Sequence, residues 1–119
     1  GGRLIRAVDY LAAQRACGLL RAAVDTALGA SDALLLPTLP IVAPRLGEND
    51  VVMADGSQLP VRSAMLRHTQ LFNMTGHPAI SLPIASPGLP VGLQLVGRLD
   101  ATAQLLAVAA ACEGVLRDA

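Results

Sequence analysis

The chain has 119 residues, the length of one domain, with 53% hydrophobic residues but one Phe, one Tyr and no Trp, so its core has to be built from Ala, Val and Leu. Its formal net charge is zero, from nine Arg, no Lys and nine singly scattered acids. That distribution leaves no basic stripe to follow a phosphate backbone and argues against nucleic acid as a partner.

No apolar run reaches about 18 residues, so a membrane partner is not expected. The two cysteines, Cys17 and Cys112, are too few and too far apart for a disulfide framework or a metal site. The opening Gly1-Gly2-Arg3, without an initiator Met, is expected to belong to something longer. The alternative is an Ala-rich domain cut from its tag. A piece of a larger body would explain the apolar excess, because one of its faces normally docks on the rest. The start of the chain says nothing about a secretion signal.

The first element predicted is a long helix. Leu4, Val8, Leu11, Ala12, Ala16, Leu19, Leu20, Ala23 and Ala27 recur at three- and four-residue steps, the period of an amphipathic helix. Arg3, Arg6, Arg15, Arg21 and Asp25 fall on its other side, and Gly29 closes it. Ala33-Leu34-Leu35-Leu36 is a short apolar run ended by Pro37. A run apolar on both faces suits the middle of a parallel or mixed sheet.

Pro37 to Val61 carries five prolines and glycines beyond Pro37 itself (Pro40, Pro44, Gly47, Gly56 and Pro60) and reads as a long irregular segment. Such a loop in a small domain is usually functional or mobile. Asp55-Gly56 can turn a small hairpin between Val51-Val52-Met53 and Leu59-Pro60-Val61. Ser63 is placed to cap a helix running to Met74, with Met65, Leu66, Thr69 and Phe72 on one side.

Gly76 then stops that helix, with Pro78 two residues on. A strand starts at Ala79, and Ser86-Pro87-Gly88-Leu89-Pro90 turns the chain. Val91, Leu93 and Leu95 alternate with Gly92, Gln94 and Val96, the period of a second strand. Asp100 is placed to cap a last helix with a stripe of Leu105, Val108, Ala109, Cys112 and Leu116. The order is α, β, long loop, α, β, β, α, which makes the chain α/β.

Candidate chemistry starts with five serines, Ser31, Ser57, Ser63, Ser81 and Ser86, and two possible bases, His68 and His77. A serine needs a base to take its proton, and neither histidine sits in a local nucleophile signature. Structural roles are expected for both. Gly92 to Leu99 imitates a phosphate loop but has Arg98 for the lysine and Leu99 for the hydroxyl residue. Its interior alternates like a strand, whereas a phosphate loop curls its amides around an anion. His68, His77, Cys17 and Cys112 show no paired ligand spacing for a metal. Pro37-Thr38-Leu39-Pro40 leaves the end of the first strand, where open α/β sheets place ligand-binding loops.

Asn73-x-Thr75-Gly76-x-Pro78-Ala79-x-Ser81-x-Pro83, followed by Gly88-Leu89-Pro90-Val91-Gly92-Leu93-Gln94-Leu95-Val96-Gly97, closely resembles the C-terminal part of the amidase-signature hydrolases. The resemblance runs from Tyr10 to about Glu113. It implies an α/β/α sandwich with a mixed central sheet, of which residues 1–119 form a single segment, the C-terminal part of a domain whose catalytic N-terminal part lies outside this chain. The family uses a Ser–cis-Ser–Lys triad from a Gly/Ser-rich region, and with no lysine and no Gly-Gly-Ser-Ser run that triad is not here. The resemblance therefore implies no catalytic residue in this segment and no metal or organic cofactor.

What it does imply is hydrolysis of a carboxylic amide C–N bond by the whole protein. The partners are a small-molecule amide substrate and the missing N-terminal part of the same domain, with a homodimer left open and a cytoplasmic location expected. Carried over residue by residue, the Pro-Thr turn and the helix before the Asn-x-Thr-Gly motif make Thr38, Thr69, Phe72 and Asn73 the candidate substrate-binding residues. The alternative is a non-catalytic interaction module or a piece of an amidotransferase A subunit. Plain structural roles for Thr69, Phe72 and Asn73 stay open beside the pocket roles.

Overall fold

The alternating stretch Val91–Val96 is a strand, β5, and it is the centre strand of a three-stranded sheet. The computed structural model describes residues 2–117. A 3-10 turn at Gly2–Leu4 leads into α1 (Ala7–Leu28), and β1 follows at Leu34–Pro37. β2 (Asp50–Val52) and β3 (Gln58–Pro60) form a separate hairpin, then come α2 (Val61–Leu66) and α3 (Gln70–Thr75). β4 (Ala79–Ile84), β5 and α4 (Thr102–Arg117) complete the chain.

Both neighbours of β5 run antiparallel to it. β1 pairs Leu34 with Val96 and Pro37 with Leu93. β4 pairs Ala79 with Val96 and Ile84 with Val91. With a side-chain period of two, this register divides the sheet into two faces. One carries Leu34, Leu36 and Val96, which pack with Val24 and Leu28 of α1 and with Leu71 and Phe72 of α3. The other carries Ile80, Leu82 and Leu95, which pack on Leu105, Val108, Ala109, Cys112 and Leu116 of α4. Helices therefore cover both faces, the three-layer arrangement expected, and the α4 stripe is the one its spacing predicts. Leu28 and Val96 are fully buried, each contributing about 1.5–3 kcal/mol of burial free energy.

Four expectations are corrected. The run Leu34–Pro37 is an edge strand among the described residues, not a central one, and Leu35 is 62% exposed. Leu35 points to the α4 side, where a hollow lies between it and Ala111, Cys112, Val115 and Leu116.

The predicted α1 stripe is mostly in solvent: Leu4, Val8, Leu11 and Leu19 are exposed, and only Val24 and Leu28 are buried. The docked stripe is instead Arg21, Val24, Asp25 and Leu28, because two polar members find partners at the corner after α3.

The helix expected from Ser63 to Met74 is two helices, with Ser63 inside the first rather than capping it. Val61 N–H donates to Asn49 C=O, so the hairpin sets the start of α2. The break comes at Arg67–Thr69, where tertiary bonds hold His68: its Nδ1–H donates to Pro37 C=O at 3.0 Å. Asp100 turns the chain with φ 59, leaving Ala101 to precede α4.

The Asp55-Gly56 hairpin forms as predicted. At its tip the Ser57 hydroxyl and amide both donate to Asp55 Oδ1, holding that carboxyl below its usual range.

Candidate functional site

β1 and β4 flank β5, so residues on one face of those two strands approach each other across it. At Gly92 nothing stands between them. Thr38 N–H continues the β1 ladder by donating to Gly92 C=O at 2.9 Å. The Thr38 and Ser81 hydroxyls then meet over the glycine, Oγ1 to Oγ 2.5 Å. A Cβ at position 92 would lie 2.7 Å from both oxygens, closer than real Cβ contacts allow. The hydroxyl pair exists because residue 92 has no side chain.

The polarity of this face changes along β5. Val96 belongs to the α1 core, Gln94 is 4% exposed, and its Nε2 donates to His68 C=O at 3.5 Å. Beyond Gln94 come Gly92 and the hydroxyl pair. There a cleft of about 290 Å³ opens, lined by Thr38, Ser81 and Gly92 and by apolar groups that include Ile41, Pro44, Met65 and Val91. Among the described residues no charged side chain lines it. An apolar hollow with a few convergent polar groups is the usual form of a small-molecule site.

A second hollow, of about 340 Å³, lies between β1, β5 and α4, lined by Leu35, Leu93 and Val115 among others. Its lining is apolar throughout, with no group to orient a ligand. Two wider clefts beside the β2–β3 hairpin, of about 610 and 570 Å³, are lined in part by charged residues that include Arg45, Glu48 and Arg62. The hydroxyl cleft is the candidate site because it sets a convergent polar pair in an otherwise apolar lining.

Of the residues named from the sequence, Thr38 lines this cleft and Thr69, Phe72 and Asn73 do not. Phe72 is 5% exposed in the core with Val24, Leu28 and Val96, and borders an apolar cavity of about 220 Å³ on the α1 side. Thr69 is half-buried at the start of α3, where its C=O accepts from Asn73 N–H. Asn73 is exposed. Sequence reasoning misses Ser81 and Gly92 as site residues. Their signal is the period-two pattern of both strands, but the register that brings them together is tertiary.

The two histidines hold structure. His68 is tied to Pro37, and His77 is buried between Thr75 Oγ1 (2.9 Å) and Asp25 Oδ1 (3.2 Å). Among the described residues no serine hydroxyl bonds either ring. The segment that imitates a phosphate loop is strand β5 and the turn after it. Arg98 in that turn donates to Gly29 C=O and Ser31 C=O, joining it to the end of α1.

A sequence profile of the Amidase family matches residues 2–106. The chain is 42% identical over 94 residues to an enantioselective amidase of Rhodococcus rhodochrous, covering 76% of this chain and 18% of that protein. It is also 42% identical over 110 residues to the glutamyl-tRNA(Gln) amidotransferase A subunit of Moorella thermoacetica, covering 87% of this chain and 20% of that one. Among solved structures, a crystal structure of an amidase superposes with a TM-score of 0.89 at 36% identity, over 97% of this chain and 26% of that chain. The chain spans 52% of another curated relative and about a fifth of the two just named. The sequence motif, the three-layer fold and these matches agree: the chain belongs to the amidase family, the amidase-signature hydrolases that its sequence resembles.

Proposed function

We propose that this chain is the C-terminal portion of an amide hydrolase and that the whole protein cleaves a carboxylic amide C–N bond. In this reading an upstream Ser–cis-Ser–Lys triad attacks the amide carbon, forms an acyl-enzyme and releases ammonia or an amine. This segment supplies three strands of the central sheet and one wall of the acyl pocket, with Thr38 at that wall. Phe72 packs in the α1 core, Asn73 lies in α3 and Thr69 immediately precedes that helix. A small uncharged amide as substrate and a cytoplasmic location are parts of the same proposal. Among the described residues no helix is long and apolar enough to cross a membrane.

The observation that carries the reading is the superposition on an amidase over 97% of this chain. A second reading, a piece of an amidotransferase A subunit, is favoured by the 42% identity to such a protein over 110 residues. The two differ in what the parent protein needs.

The test is ammonia release from a panel of neutral amides by the purified full-length parent. The expected result is turnover by the parent alone. The 119-residue chain alone should show no turnover and no labelling by a serine-reactive fluorophosphonate. Activity that appears only after a second protein is added would favour the second reading. Stoichiometric labelling of a serine in this segment would overturn the assignment of the triad to the upstream region.

A further inference from the structure

Two hydroxyls bring two protons to the floor of the cleft, and the Thr38–Ser81 bond uses one of them. Neither hydroxyl has a second hydrogen-bond partner among the described residues, and both line the cleft. One O–H therefore remains to donate into a cavity whose other walls are apolar and uncharged. Ser81 is exposed and Thr38 half-buried, and a charge placed against this lining would meet no counter-ion among the described residues. A neutral acceptor, such as an ether or carbonyl oxygen, would replace a lost water bond with the free O–H.

We infer that the Thr38–Ser81 hydroxyl pair, set over Gly92, is a specificity-determining element that selects neutral amides carrying a hydrogen-bond acceptor in the acyl part. This rests on the amide-hydrolase reading above. Gly92 acts through the pair: its missing side chain lets the two oxygens reach 2.5 Å. The pair also fixes direction, because the hydroxyl that accepts from its neighbour is the one whose own proton turns to the ligand.

The experiment uses the full-length parent and pairs of simple amides in which one CH2 of the acyl chain is exchanged for an ether oxygen at successive positions. At one position the wild type should prefer the ether, read as the ratio of kcat/KM within the pair. Thr38→Val and Ser81→Ala combined should erase that preference, a change of about fivefold for one neutral hydrogen bond. One single variant should match the double and the other should lose less, which identifies the outward donor. Gly92→Ala should weaken the preference as well, by forcing the oxygens apart. Thermal melts identify any variant that fails to fold, and the near-isosteric Thr38→Val and Ser81→Ala keep the test available if Gly92→Ala does.

A parent that hydrolyses amides but shows no ether preference, or a folded double variant that retains it, would overturn the inference and leave the proposed function standing. A parent that hydrolyses no amide would overturn the proposed function itself.

Discussion

His77 Nε2 lies 3.2 Å from Asp25 Oδ1, joining residues 52 apart in sequence. The carboxylate can only accept, so Nε2 carries the proton. In the neutral ring Nδ1 then accepts from the Thr75 hydroxyl. His77 thereby fastens α1 to the corner between α3 and β4, next to the bond from Arg21 Nε to Thr75 C=O at 2.8 Å. His77→Ala removes a buried ring and leaves the Thr75 hydroxyl unpaired, with an expected loss of about 2–4 kcal/mol. Asp25→Asn keeps an acceptor oxygen and should cost less than about 1 kcal/mol. Urea unfolding of the full-length protein measures both, and a loss under about 0.5 kcal/mol for His77→Ala would show that the corner stands without the ring.

Gly76 ends α3 in the left-handed conformation, φ 79, and its N–H donates to Phe72 C=O at 2.8 Å. A Cβ there would meet Arg21 only at ordinary contact distance, 3.6 Å. The cost of Gly76→Ala is therefore conformational, about 1–2 kcal/mol. Gly76→Asn should fall between the two, because Asn tolerates this region better than Ala. Equal stability of all three proteins would show that the corner had changed its backbone path.

Phe72→Ala separates a core role from a pocket role. The ring packs on Val24, Leu28 and Val96, and its loss should cost about 3–5 kcal/mol. Since Phe72 does not line the hydroxyl cleft, the ranking of kcat/KM across amides of increasing acyl length should stay as in the wild type. A ranking shifted by roughly 10–200-fold would make the ring a direct wall of the substrate channel.

The 119-residue chain by itself should bind a hydrophobic dye and self-associate. Leu4 is 89% exposed, Leu19 76% and Val115 71%, an apolar excess that marks contact surfaces. Fluorescence with the dye and sedimentation across a concentration series are the measurements. A monomer that ignores the dye and unfolds cooperatively would mark an independent domain.

Local sequence signals alone determined the strands at Ala79 and Val91, the α4 stripe and the stop at Gly76. In each case the pattern of apolar residues or the need for a positive φ is local and leaves few alternatives. The family motif sits on that same corner and pair of strands, so it too was readable without coordinates.

Tertiary structure decided what local pattern could not. The apolar spacing of α1 offered a stripe through Leu4, Leu11 and Leu19, yet Arg21 and Asp25 face the body, because the corner at Thr75–His77 supplies them with partners. Local propensity favoured one helix from Ser63 to Met74, and the bonds of His68 and Gln94 broke it. Thr38 and Ser81 are 43 residues apart and become a site through antiparallel register on β5, with Gly92 between them. Each is a pairing of polar groups over a long separation, and its free energy appears only when both partners are brought together, which no window of sequence contains.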